Sequence, residues 1–486
     1  MVNLHDILQE VNILHQTGTT GREIRNITED SRKVGEGDVF VAIDGTGMDG
    51  HKFIGQALEK GAAAVVYQND DYLQEKNDVA FIKTEDSRQA LAAMASAYFG
   101  HPSRKLQVIG ITGTNGKTSI VTMLYRLFRE VGEKTGMLST VEIMINDKQK
   151  EATHTTPGPM IIHELLREMA DNGCRYCFME VSSHAIDQHR TGGIDFKGAV
   201  FTNITHDHLD YHKTFDQYLT TKKKLFDNLN KESFALVNAD DKRREVMVQN
   251  CAAKVATYGL KNAADYKTKI LEADFSGMLL DINGQQAYVT TVGDYNASNL
   301  TAAYAVGDLL GLSPETNLTA LSKTGNIPGR MQVIKEDEIS GVVDYAHSPD
   351  ALEKVLETIK RLNKQKGQII TVIGCGGDRD KAKRPEMGKI AARRSDKAIF
   401  TSDNPRNEDP LTIIQEMKAG VDEDRAGRVI TNPDRKEAIN MACMFAQKGD
   451  IVLVAGKGHE KFQVVKDEKL PFDDLKILQE YLKEKL

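Results

Sequence analysis

The chain has 486 residues, enough for about three domains of ~150 residues, each with a buried core. Its 63 lysines and arginines against 70 acidic residues leave a net charge of −7, so no basic footprint points to nucleic acid. No stretch approaches ~18 uninterrupted apolar residues, and the start Met1-Val2-Asn3-Leu4-His5-Asp6 lacks a basic region before an apolar one, so neither a membrane span nor an export signal is expected.

Residues 1–100 open with a helical pattern, followed by the polar turn Asp30-Ser31-Arg32. A strand over 39–43 leads into a loop, 45–51, marked by its glycine spacing. A helical stretch containing Ala57 and Leu58 and a strand over 63–67 complete a small α/β unit. On spacing alone, Asp30, Ser31 and Arg32 read as a capped, solvated turn.

A boundary near Phe99-Gly100-His101-Pro102-Ser103 opens a second domain, 101–329. Here the chemistry is concentrated. The apolar residues Leu106, Val108, Ile109 and Ile111 read as a buried strand, and a helix is expected over 120–130. Between them lie Gly113, Thr114, Asn115, Gly116, Lys117, Thr118 and Ser119. Such a strand, glycine turn and helix make a phosphate cradle, with Lys117 as a point charge and Thr118 offering a hydroxyl to Mg²⁺. The strict pattern asks for glycine five residues before Gly116, where this chain has Ile111. The flanking context still reads as a nucleoside triphosphate site.

Later strands of the same domain also end in polar groups. The run 176–181 delivers Glu180, Ser182, Ser183 and His184, and the run 198–204 delivers Asn203, Thr205, His206, Asp207 and His208. Open parallel sheets place ligands at the carboxyl ends of their strands, so these residues should meet the cradle. Glu180, Thr118 and His208 together suit a divalent cation on ATP phosphates. Cys174 and Cys177 form a C-x-x-C without a second pair; five cysteines in so long a chain read as ordinary thiols of a reducing compartment. The run Lys222-Lys223-Lys224 reads as a solvated helix face, of which at most one residue can face a metal site. Residues 234–241 make another strand ending in polar groups, and Asn296 and Asn299 open an alanine-rich helix.

A second boundary near Gly329-Arg330 leads into a third domain, 330–486. Strands over 342–343, 369–373, 398–400 and 451–454 run into Asp344-Tyr345-Ala346-His347, Gly376-Gly377-Asp378-Arg379, Asp403-Asn404-Pro405-Arg406 and Gly456-Lys457-Gly458-His459-Glu460. This is the pattern of a doubly wound, Rossmann-like α/β domain, although Gly376-Gly377 fails the strict dinucleotide fingerprint.

Taken together, Asp30-Ser31-Arg32, the 113–118 cradle, Thr155-Thr156-Pro157, Glu180-Val181-Ser182-Ser183-His184, Asp207-His208 with Tyr211-His212, and the four third-domain motifs resemble the Mur ligases, ATP-dependent enzymes of peptidoglycan precursor synthesis. The resemblance covers essentially the whole chain. It implies three α/β domains: a small N-terminal one for the uridine diphosphate sugar, a central P-loop parallel-sheet domain for ATP, and a C-terminal Rossmann-like one for the amino acid. Ser31, Thr155, Thr156, Ser182, Gln188 and Arg190 would hold the sugar-peptide, with the 45–51 loop nearby. Asn296, Asn299, Arg330, Asp344 and His347 would join the cradle in holding ATP. Mg²⁺ would lie on Thr118, Glu180, His208 and a CO₂-derived carbamate of Lys222, with Lys117, Lys222 and His208 catalytic. Arg379, Asp403, Asn404, Pro405, Arg406, Gly456 and Glu460 would receive the incoming amino acid. Because Arg406 offers a planar fork for a second carboxylate, the resemblance implies meso-2,6-diaminopimelate added to a UDP-N-acetylmuramoyl-dipeptide, with a lysine-adding enzyme as the alternative. It further implies a cytoplasmic monomer without nucleic-acid or membrane partners. From another class, the remaining reading is a nucleotide-dependent switch without ligase chemistry.

Overall fold

The computed structural model describes residues 2–45, 47–73, 76–152, 155–336 and 338–485, without side chains at 209 and 210. Thr46, in the loop expected near the uridine diphosphate, lies outside the described residues.

The strand Gln107–Thr112 lies inside an eleven-stranded sheet, with Tyr176–Glu180 and Phe196–Phe201 parallel to it on either side. Thr135–Leu138, Phe234–Asn238 and Lys254–Gly259 continue the parallel core, while antiparallel hairpins close both edges. Strands buried on both faces need unbroken apolar runs, and Tyr176–Glu180 is buried at every position. Helices cover the two faces. Lys117–Glu130 sets Ile120, Val121, Leu124, Leu127 and Phe128 into one core. Pro159–Asp171 and Phe215–Asp227 set Ile162, Leu166, Tyr218 and Phe226 into the other. Phe128 is fully buried, so its truncation to alanine would cost about 3–5 kcal/mol.

The cradle helix begins at Lys117 and not at 120. Residues 117–119 are polar at the cradle and carry no apolar period, yet Gly116, at φ 93°, turns the chain directly into helix.

The N-terminal part forms a five-stranded sheet in the order Ile13–Thr17, Ala80–Thr84, Ala64–Tyr67, Val39–Val41, Ile27–Thr28. The opening helical pattern yields only the four-residue helix Leu4–Ile7. Its flanks are drawn into sheets instead: Val2–Asn3 pairs with Glu23–Ile24, and Ile13–Thr17 pairs with Ala80–Thr84.

The C-terminal sheet has six strands, Gln332–Glu336, Ile339–Asp344, Ile451–Ala455, Ile369–Ile373, Lys397–Phe400 and Val429–Thr431, all parallel except the first. Gly377 is tied to the neighbouring strand-end loop. Its N–H donates to Asn404 O at 2.9 Å, and a Cβ there would lie 1.9 Å from Pro405 O, so the glycine serves close packing of two loops. Cys174 and Cys177 are buried free thiols, and burial pushes the Cys177 thiol up.

Candidate active site

Between the strand Gln107–Thr112 and its helix, the chain passes too close to its neighbours to carry side chains at two positions. A Cβ on Gly113 (φ 146°) would lie 1.9 Å from Thr202 Oγ1, and one on Gly116 would lie 2.7 Å from Asn299 Oδ1. The need for glycine therefore falls at 113 and 116, and Ile111 is left free to fill the sheet core, fully buried. Thr114 N donates to Asn203 O and Asn115 N to Asn203 Oδ1, fixing the loop on the next strand end. Lys117 Nζ donates to Gly113 O at 2.8 Å and Thr114 O at 2.9 Å, and burial pushes its pKa down.

Glu180, at the end of the neighbouring strand, joins two groups of residues. Its Oε1 accepts from Thr118 Oγ1 at 2.9 Å and from Thr140 N at 2.7 Å. Its backbone carbonyl accepts from Thr156 Oγ1 at 2.9 Å. From Thr156 a network continues: Ser182 Oγ at 3.4 Å, Arg190 Nη1 onto Thr156 O at 2.9 Å, and Arg190 Nη2 onto Gln188 Oε1 at 2.6 Å. Thr155 Oγ1 accepts from Thr140 Oγ1 at 3.1 Å. Five of the six residues expected at the sugar-peptide are thus gathered beside the cradle. Ser31 is placed apart, in the N-terminal part of the chain, donating to Gln56 Oε1 at 2.8 Å.

The lysine run is not a solvated face. Lys222 is 1% exposed and Lys223 is also buried, paired with Asp227, while Lys224 is exposed. Lys222 Nζ donates to Gly113 O at 3.1 Å, the same carbonyl that Lys117 uses, and lies 4.7 Å from the Tyr218 ring centroid. Burial, reinforced by the Lys117 charge, holds the Lys222 amine well below its ordinary pKa. His208, at φ 53°, is partly exposed, with Asp207 at 3.6 Å and the His184 ring at 4.9 Å. Surrounding protein, with Asp207 opposing, lowers its pKa.

Thr118, Glu180, His208 and Lys222 offer a hydroxyl, a carboxylate, an imidazole and an amine. Among the described residues, no group of three or more His, Cys, Asp and Glu side chains stands ready to hold a metal. The Thr118–Glu180 oxygen pair fits a hard cation such as Mg²⁺.

A cavity of about 440 Å³ opens between the central and C-terminal sheets. Asn115, Gly116, Ser119, Asn299, Arg330, Asp344 and His347 line it. The Arg330 guanidinium lies 4.4 Å from the Tyr345 ring centroid, and its Nη2 is 3.4 Å from Thr118 Oγ1. Asp344 accepts from Met331 N at 2.6 Å and Ala346 N at 2.8 Å; burial raises its pKa. Surrounding protein, with the Lys383 charge adding to the effect, lowers the His347 imidazole to about 4. Asn296 is not among the lining residues. It is 1% exposed and donates to Val292 O at 2.9 Å, because its position in the helix Asp294–Leu309 points it into packing.

The C-terminal strand ends converge on a second group. Asn404 Nδ2 donates to Glu460 Oε2 at 2.8 Å, and Asp403 Oδ1 accepts from Asn404 N at 2.7 Å. Arg406, at φ 50°, sends Nη1 onto Gly377 O at 2.7 Å. Burial depresses its pKa, with the Arg379 charge adding to the effect. Arg379 is exposed, so this end of the site is open. Gly456 takes φ 111°, and a Cβ there would lie 2.6 Å from Asp403 Oδ2.

Sequence reasoning assigned no role to Thr140, Tyr345 or Lys457. Tyr345 packs near both ends of the site, its hydroxyl pKa pushed up to about 12 by burial and by carboxylates including Glu460, Asp403 and Glu180. Lys457 is fully buried. Both stood inside recognised motifs, which was the available signal; Thr140 had none.

A nucleotide cradle on a parallel sheet, a neighbouring hydroxyl-rich site and a second α/β domain that reaches the cradle through Arg330 describe an acid–amine ligase architecture. The chain belongs to the Mur ligase family: residues 23–99 match the model of the Mur ligase family catalytic domain, 111–307 the Mur ligase middle domain, and 329–458 the Mur ligase glutamate ligase domain. It is 49% identical over 482 residues, 99% of each chain, to the UDP-N-acetylmuramoyl-L-alanyl-D-glutamate–2,6-diaminopimelate ligase of Cytophaga hutchinsonii. It is 48% identical over 480 residues, 99% of each chain, to the protein of that name from Phocaeicola vulgatus. A solved structure of a ligase with the same name aligns with a TM-score of 0.70 at 33% identity, covering 100% of this chain and 99% of the other.

Proposed function

We propose that this chain is the ATP-dependent, ADP-forming ligase that joins meso-2,6-diaminopimelate to UDP-N-acetylmuramoyl-L-alanyl-D-glutamate. The observation that carries the reading is Glu180, whose carboxylate holds Thr118 of the phosphate cradle while its carbonyl holds Thr156 of the neighbouring hydroxyl network. One residue thus ties a triphosphate site to an acid-substrate site. That each sheet draws its strands from within 1–100, 101–329 or 330–486 supports a three-domain division at those limits.

The free carboxylate of the D-glutamyl end attacks the γ-phosphorus, ADP leaves, and an acyl phosphate forms. Two anions must approach, and Lys117 with the cradle N–H groups offsets their repulsion. The neutral amine of diaminopimelate then attacks the acyl carbon, and phosphate departs as the amide forms. Thr118, Glu180, His208 and the carbamate of Lys222 would hold Mg²⁺, which when bound supplies positive charge to the phosphates. Lys222 suits carbamylation because a buried, neutral amine is the form that reacts with CO₂. Arg406 and Arg379 present guanidinium groups for the distal carboxylate, and Glu460 accepts from the distal ammonium. Among the described residues no helix is long and apolar enough to cross a membrane. On this reading the chain acts as a monomer on small molecules of the cytoplasm.

Mass analysis of the product after incubation with ATP, the sugar-dipeptide and either amino acid tests the reading. Amide product with diaminopimelate, and phosphate release requiring all three substrates, is expected. Preference for lysine would reassign the acceptor, and nucleotide hydrolysis without amide product would restore the switch reading.

A further inference from the structure

We infer that Lys457 is a positioning residue for the acceptor amino acid, acting through Asn404 and Glu460; this rests on the acceptor pocket proposed above. Lys457 Nζ is fully buried and donates to Asn404 Oδ1 and Glu460 Oε2, both at 2.8 Å. Asn404 Oδ1 also accepts from Val464 N at 2.9 Å, so two donors fix which end of the amide is oxygen. The other end, Nδ2, then points at Glu460 Oε2, 2.8 Å away.

The three side chains hold one another in place. Glu460 Oε2 receives two donors, while Oε1 has no partner among the described residues and the side chain is 22% exposed. That remaining oxygen is the one available to a ligand ammonium. Lys457 thereby does two things. It compensates the charge of a carboxylate that would otherwise be partly buried alone, and it fixes the carboxylate rotamer so that a single oxygen faces outward. The backbone on both sides is shaped to bring the lysine inward: Gly456 takes φ 111° and Gly458 φ 55°, and a Cβ on Gly458 would lie 2.7 Å from Tyr345 Cβ. A surface lysine would need no such turn.

The test compares Michaelis constants for diaminopimelate, ATP and the sugar-dipeptide in the wild type and in Lys457→Met, Lys457→Gln and Lys457→Arg. The two neutral variants should raise KM for diaminopimelate by about 10- to 100-fold, the value of hydrogen bonds to a charged group, without a comparable change for the other two substrates. Lys457→Arg, which keeps the charge, should recover part of the loss. If Lys457→Met fails to give a cooperative melt, Lys457→Gln, which keeps a donor, carries the comparison. A wild-type KM for diaminopimelate in the neutral variants, or an equal rise for all three substrates, overturns the inference alone. A wild-type enzyme that ignores diaminopimelate sinks the functional reading and this inference with it.

Discussion

Arg330 Nη2 reaches to 3.4 Å from Thr118 Oγ1, although the two residues stand 212 positions apart, Thr118 in the cradle helix and Arg330 just before the first strand of the C-terminal sheet. The contact brings the start of the C-terminal sheet to the floor of the phosphate cradle, and the Tyr345 ring under the guanidinium holds it there. The chemistry therefore depends on side chains whose environment is supplied by a neighbouring domain.

Lys222→Met should separate stability from activity. Burial depresses the Lys222 pKa, so between that lowered value and the ordinary 10.5 the unfolded chain binds more protons than the native one. Stability then rises with pH through this window, and below it the buried amine is a standing penalty. Removing the amine should raise Tm at pH 7 while lowering kcat at least about 100-fold. Calorimetry and product assays check both, and ¹³CO₂ labelling should give a carbamate resonance in the wild type that the variant lacks.

Glu180→Gln keeps the shape and removes the charge beside Thr118. Turnover should fall about 100- to 1000-fold, as for loss of a group that stabilises transition-state charge. Nucleotide binding, followed by titration calorimetry, should persist. Turnover within threefold of the wild type would count against any role for Glu180 in phosphoryl transfer.

Arg406→Ala should leave the distal carboxylate of diaminopimelate under-paired, a loss of about 2–5 kcal/mol in acceptor binding. Competition between diaminopimelate and lysine should show the preference collapsing while ATP binding holds. Arg406→Lys should not restore it, because an ammonium lacks the planar fork. Full diaminopimelate use by the alanine variant would refute the assignment.

His163 offers a pH test away from the site. It is fully buried, its Nε2 lies 3.0 Å from Gly192 O, and its Nδ1 has no partner among the described residues. Burial lowers its pKa from 6.5 to about 4. In the unfolded chain it takes up a proton below pH 6.5, so the native state loses about 3 kcal/mol as pH falls from there to about 4. His163→Gln, which retains a donor to Gly192, should flatten the fall of Tm across that interval. An unchanged pH dependence would mean that His163 is not the titrating group.

Much of this protein was legible in linear order. Strand and helix periods, together with strand ends that stop in polar groups, are local properties, and they located the cradle, Glu180 and the C-terminal strand ends; Thr155, Thr156, Gln188 and Arg190 came only from the resemblance to the Mur ligases. The short opening helix was not legible, because its neighbours are claimed by strands remote in sequence. Nor was the burial of Asn296, which depends on how the helix Asp294–Leu309 is rotated against its packing partners.

The amino-acid order alone determined that a triphosphate cradle exists, since glycine, lysine and threonine at that spacing leave backbone N–H groups and a cation facing one point. Residue spacing left open which lysine of the 222–224 run faces the cradle, the resemblance named Lys222, and the tertiary structure sets its amine on Gly113 O; only the tertiary structure decided that Lys457 is spent on Asn404 and Glu460. Those outcomes turn on desolvation and on contacts between segments as much as 109 residues apart. Such interactions leave no periodic trace in the chain.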